Sequence, residues 1–116
     1  MKLINTYTLE IKKSKFIAYH YSITSKEDTE IILDNLKKEH KKARHIPYAY
    51  KLGNIAKKSD DKEPSNTAGT PIYNIIIQNN LDGVFIAVVR YFGGIKLGAG
   101  LLTRSYLNSA KEVIKW

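Results

Sequence analysis

The 116-residue sequence contains no cysteine. Neither a disulfide framework nor thiolate chemistry is therefore available, which fits a reducing compartment. Long apolar runs are also missing. No window approaches the ~20 apolar residues that a membrane helix needs, and the opening MKLINT has no apolar run of the signal-peptide kind. A cytoplasmic protein with no membrane partner is the expectation. Repeats, low-complexity tracts and linkers are absent as well, so residues 1–116 read as one domain, able to bury roughly two-thirds of its unfolded surface. Acidic residues are few, 11 against 19 Lys and Arg, for a net charge of +8.

What is present is of ordinary globular composition, 43% hydrophobic and 26% charged. The positive charge is concentrated. Lys37, Lys38, Lys41, Lys42, Arg44, Lys51, Lys57 and Lys58 face a single acid, Glu39, within residues 37–58. Such a stretch suits a polyanion such as RNA. The competing explanation is a Lys-rich composition that merely solvates exposed faces.

The hydrophobic pattern centres on residues 84–106. VFIAVV is short, apolar and rich in β-branched residues, so it reads as a central strand. Gly93 and Gly94 end it; beyond Gly98 and Gly100, Leu102, Tyr106, Ala110 and Val113 recur at helical spacing. Upstream, residues 3–11 and 15–23 read as a hairpin with a basic tip. Ser25 with Asp28 predicts a helix start, and Ile32 and Leu36 mark the inward face of a helix running to about Lys42. Residues 45–52 alternate as a strand, with Pro47 suggesting an edge or a start. Residues 53–65 read as a loop. Residues 70–78 are ambiguous, strand by β-branched content and helix by Thr70 as cap with Pro71 following.

Three groups of residues have chemical potential. Asp60, Asp61 and Glu63 put three carboxylates within four residues, enough for Mg²⁺ or acid–base work, though loop acids are more often solvated or paired with lysines. His45 is a candidate base if a carboxylate orients it, or else a histidine packed against a tyrosine. Gly93, Gly94, Gly98 and Gly100, with Arg90, Lys96 and Arg104, form a turn into a helix N-terminus that suits a phosphate, although it lacks the Gly-Lys-Ser/Thr ending of a P-loop. Tyr48, Tyr50, Tyr91 and Phe92 add aromatics that stack bases only where their rings reach the surface.

Arg90-Tyr-Phe-Gly-Gly-Ile-Lys-Leu-Gly-Ala-Gly100, followed by Arg104 and Tyr106, resembles the signature of the Impact N-terminal family, of the YigZ-like kind. Residues 59–69, SDDKEPSNTAG, resemble its acidic block, and residues 14–18, SKFIA, and His45 with Tyr48-Ala-Tyr50 fit in the same order. The resemblance implies a helix at residues 70–78 and an α+β, two-layer α/β sandwich of order ββαβαβα, similar to domain 2 of ribosomal protein S5, with helices on one face of the sheet. It further implies association with RNA, the ribosome or a translation-control protein; no cofactor and no resident metal are expected. Lys62, Asn66 and Leu101 stand where the family usually has glycine. The second domain of bacterial relatives is not matched, so the chain resembles the bare core.

Binding rather than catalysis is the leading expectation. A phosphate- or metal-dependent hydrolase built on His45, Asp60, Asp61 and Glu63 is the alternative, and requires those groups to converge. A protein-docking module is the third, and requires an exposed apolar patch.

Overall fold

The computed structural model describes residues 1–115. The chain runs β1 (Lys2–Ile11), β2 (Ser14–Ser22), α1 (Lys26–Glu39), β3 (Tyr48–Leu52), β4 (Ile55–Ser59), α2 (Gly69–Gln78), β5 (Val84–Tyr91) and α3 (Ala99–Val113). The strands form one antiparallel sheet in the order β1-β2-β5-β3-β4. This is the expected α+β class and order, with one strand added. No helix of the described residues is long and apolar enough to cross a membrane.

β5 is central because it has no polar side until Arg90. Val84, Ile86 and Val88 face α2 and α3, where Ile72, Ile76, Leu102, Tyr106 and Val113 cover them. Phe85, Ala87 and Val89 face the other way, toward Ile32 and Leu36 of α1. The sheet with α2 and α3 makes the two-layer sandwich. The expectation of all helices on one face is corrected by α1, which covers the opposite face.

Ser25 caps α1 in a reciprocal box with Asp28, as its spacing predicts. The helix ends at Glu39, short of Lys42, because His40 leaves helical geometry and is held by Tyr19 and Tyr91 hydroxyls at 2.7 and 2.6 Å. Pro47 precedes β3, whose first residue is Tyr48, and β3 is an inner strand; the edge belongs to β4, in the stretch read as loop. α2 is a helix, but it begins at Gly69 and Thr70 does not cap it.

Candidate functional site: a basic cleft at one end of the sheet

The end of β5 gathers the distinctive sequence blocks. The β1–β2 turn is made by Lys12 and Lys13, both in left-handed backbone with φ 46° and 68°. It closes so tightly over Gly93 that a Cβ there would lie 2.0 Å from the Lys13 carbonyl oxygen. No other residue fits at Gly93, and the glycine turn is thereby locked beneath a basic hairpin tip. On the other side, Arg44 and His45 donate backbone N–H groups to the Arg90 carbonyl at 2.8 and 3.5 Å, and His45 accepts in return from the Arg90 N–H at 2.9 Å.

Glu63 is the buried keystone. Its side chain is 3% exposed and takes a hydrogen bond from Arg90 Nη1 at 2.7 Å. The Tyr106 hydroxyl donates to the same carboxylate oxygen, Oε2. Burial first, and the Glu63 charge second, push the Tyr106 ionisation far above its ordinary range, so the phenol keeps its proton. Arg90 Nε is buried with no partner among the described residues. The His45 ring stands 3.4 Å from Glu63 Oε1 through Nε2, while Nδ1 lies 2.7 Å from the Asp61 carbonyl oxygen. Since a carbonyl only accepts, Nδ1 carries the hydrogen.

The other two carboxylates of the acidic loop are turned to the backbone. Asp60 accepts from the N–H groups of Asn66, Ala68 and Gly69 at 2.9, 3.1 and 2.8 Å, capping α2 in place of Thr70. Asp61 accepts from the Ile46 N–H at 2.7 Å. Of the three carboxylates only Glu63 lines the cleft, whereas the hydrolase alternative requires all three beside His45. Among the described residues no group of three His, Cys, Asp or Glu is placed to hold a metal.

Above Glu63 and Arg90 opens a cleft of about 300 Å³, rimmed by Arg44, His45, Phe92 and Lys96. The Arg44 guanidinium lies 4.8 Å from the Phe92 ring centre. Of the expected phosphate-binding residues, Arg90 and Lys96 line the cleft. Gly93 and Gly94 shape the turn beside it, Gly94 with φ 89°. Gly98 is the N-cap of α3 without a side-chain cap, and Arg104 lies over Gly100 on the exposed first turn, away from the cleft lining. Leu101 does not line the cleft either. Lys62 and Asn66 do occupy left-handed backbone, at φ 69° and 64°.

The eight bases of residues 37–58 do not share one surface. Lys37 and Lys38 close α1, Lys38 paired with Asp34 at 3.0 Å, and Lys41 and Lys42 follow, exposed. Lys51 pairs with Asp82. Lys57 and Lys58 point to opposite faces of the edge strand, over Tyr48 and Tyr73. Tyr50 is buried and Tyr91 is tied to His40, which leaves Phe92 as the exposed ring at the cleft. Two participants escaped the sequence reading. Tyr106 reads as a core position on the α3 stripe and as part of the resemblance, with no sign of a bond to Glu63, and Lys13 gives no sign of contact with a residue eighty positions away.

The Impact N-terminal domain family matches residues 12–114. An IMPACT family member of Bacillus subtilis, YvyE, is 37% identical over 97% of this chain and 53% of its own length. YigZ of Escherichia coli is 32% identical over 95% of this chain and 56% of its own. The chain thus spans about half the length of these curated relatives. A solved structure described as a hypothetical protein superposes with a TM-score of 0.92 at 32% identity, over 96% of this chain and 56% of that one. A structure described as the two-domain translational regulator Yih1 shares the fold, with a TM-score of 0.57 at 24% identity over 94% of this chain and 46% of that one. The blocks that meet around Glu63 are those the resemblance rests on, and with the match over residues 12–114 they place the chain in the Impact N-terminal family.

Proposed function

We propose that the protein is a cytoplasmic, non-enzymatic binding protein of translation control that engages RNA, free or in the ribosome, through the basic end of the sheet. One observation carries this reading. Arg44 and Lys96 line the cleft, the exposed Lys41 and Lys42 lie just before Arg44 in the chain, and the exposed Lys12–Lys13 tip closes over Gly93 in the turn beside it. Cations set along a surface neutralise phosphates and release counterions, which gives affinity without base readout. The description of Yih1 as a translational regulator supports the biological setting. Backbone geometry supports the charge: Lys12, Lys13 and Lys62 take φ values that glycine or asparagine adopts with less strain.

The hydrolase alternative loses two of its four residues, Asp60 and Asp61, to backbone hydrogen bonds and keeps His45 beside a Glu63 already paired with Arg90. The docking alternative finds exposed large apolar side chains spread one each to β1, α1, β4 and α2, with Met1 just before β1 and Phe92 and Ile95 in the glycine turn.

Retention of the purified protein on total RNA and on ribosomes across a salt series tests the proposal. Log affinity is expected to fall linearly with log salt, by about 0.7 per phosphate contact on single strands. Reversing Lys41, Lys42 and Arg44 to Glu should abolish retention, whereas Lys57→Glu with Lys58→Glu should weaken it less. Unchanged retention in the triple variant overturns the assignment.

A further inference from the structure

Arg90 has five N–H donors. Among the described residues one side-chain hydrogen bond, to Glu63, is formed, and Nε is buried with none. A guanidinium that is nine-tenths buried normally has its donors satisfied, because an unpaired buried donor is costly. Here the guanidinium forms part of the wall of an open cleft, and two further cations, Arg44 and Lys96, stand at the rim with their charges unopposed by any acid in the lining except the already paired Glu63. Glu63, itself held by the Tyr106 hydroxyl, anchors Nη1 of Arg90 from below. The Phe92 ring, already under the Arg44 guanidinium, gives the cleft a flat apolar side.

We propose that this cleft is a pocket for a single phosphoryl group, gripped by Arg44 and Lys96 from the rim and drawn to the Arg90 guanidinium in the wall, with a sugar or base against Phe92. A planar fork with donors to share suits a tetrahedral oxyanion. At about 300 Å³ the cleft is at the small end of ligand-sized cavities, which suits a phosphate with its adjoining sugar. Glu63 and Tyr106 are positioning residues in this arrangement. The inference rests on the reading of this end as an anion-binding surface and goes beyond it, since diffuse attraction to RNA needs no pocket. The same chemistry serves an internal phosphodiester, a 5′-phosphate end or free phosphate.

The test is a titration of the ¹⁵N-labelled chain with inorganic phosphate, against sodium chloride at matched ionic strength. Saturable shifts confined to the signals of Arg44, His45, Arg90 and Lys96 are expected. Lys96→Glu and Arg44→Glu, both at exposed positions, should each weaken binding about tenfold or more. Lys58→Glu, the same charge change away from the cleft, should leave it within about twofold. Shifts that rise without saturating, or an equal loss with Lys58→Glu, overturn the pocket. A 5′-phosphorylated oligoribonucleotide that binds more tightly than its 5′-hydroxyl twin identifies a terminal phosphate, and equal binding identifies an internal one. RNA retention without a saturable phosphate response removes the pocket alone. Saturable phosphate binding without RNA retention keeps the pocket and removes the RNA reading.

Discussion

Replacing Glu63 by glutamine preserves shape and removes one charge from a pair in which the carboxylate is 3% and the guanidinium 7% exposed. Arg90 would then be a buried cation without its counterion, a change that costs about 3–5 kcal/mol. The Tyr106 hydroxyl still finds an acceptor in the glutamine carbonyl, so the loss belongs to the charge. Against a total stability of roughly 5–15 kcal/mol for a domain of this kind, that is about a fifth or more. With a urea dependence of about 2 kcal/mol/M, the unfolding midpoint should fall by about 2 M. Adding Arg90→Met removes both charges and fills the space with an apolar chain, and such exchanges are often neutral. The double variant should therefore recover most of the stability while failing to bind phosphate. A loss below about 1 kcal/mol in the single variant, or a double variant no more stable than the single, refutes the account of Glu63 as the keystone.

Two further outcomes follow from backbone and burial. Lys62→Gly relieves a left-handed residue at φ 69°, worth about 1–2 kcal/mol, against which the freer unfolded chain sets about 0.4–1 kcal/mol. The melting temperature should rise by a few degrees, and no rise sinks the strain argument. Asn66→Gly, at φ 64°, should gain less, because asparagine tolerates this region and its side chain accepts from Thr70. His20 is 7% exposed, and burial lowers its pKa from 6.5 against the opposing pull of the Val113 carbonyl. Below pH 6.5 the unfolded chain binds the proton that the folded chain resists, so His20 costs stability as pH falls and contributes nothing above. His20→Gln should flatten the stability–pH profile between about pH 6.5 and 5, and an unchanged slope refutes this.

Sequence patterns exposed what local chemistry controls. The Ser25 box and the α3 stripe are written in residues three and four apart, and both stand in the structure. The start of α2 is not local, since its cap is Asp60, nine residues before Gly69. β4 has no hydrophobic alternation to find, because Ile55 to Lys58 are exposed on both faces and the strand is held by its ladder to β3. The cover supplied by α1 did have a signal. An unbroken apolar run such as residues 84–89 marks a strand buried on both faces, whereas one-sided packing leaves alternation. Of the site, Glu63, His45, Arg90 and Lys96 were legible as candidates. Their grouping was not, because it depends on the three-way contact of a loop, a strand end and the Tyr106 hydroxyl.

The acidic loop shows why charge counted along a chain misjudges charge presented to a partner. Residues 59–69 carry three acids and one base, and read in isolation they should oppose a polyanion. In the fold, Asp60 sits at the positive N-terminus of α2, Asp61 is bound by the Ile46 N–H, and Glu63 is neutralised by Arg90. Each negative charge is absorbed by a group that faces inward or along the backbone. The nearby cations Lys12, Lys13, Arg44, Lys62 and Lys96 remain exposed. The loop therefore builds the basic end rather than diluting it: it spends its carboxylates on holding the chain in place and leaves the lysine at its tip to solvent and to whatever anion comes.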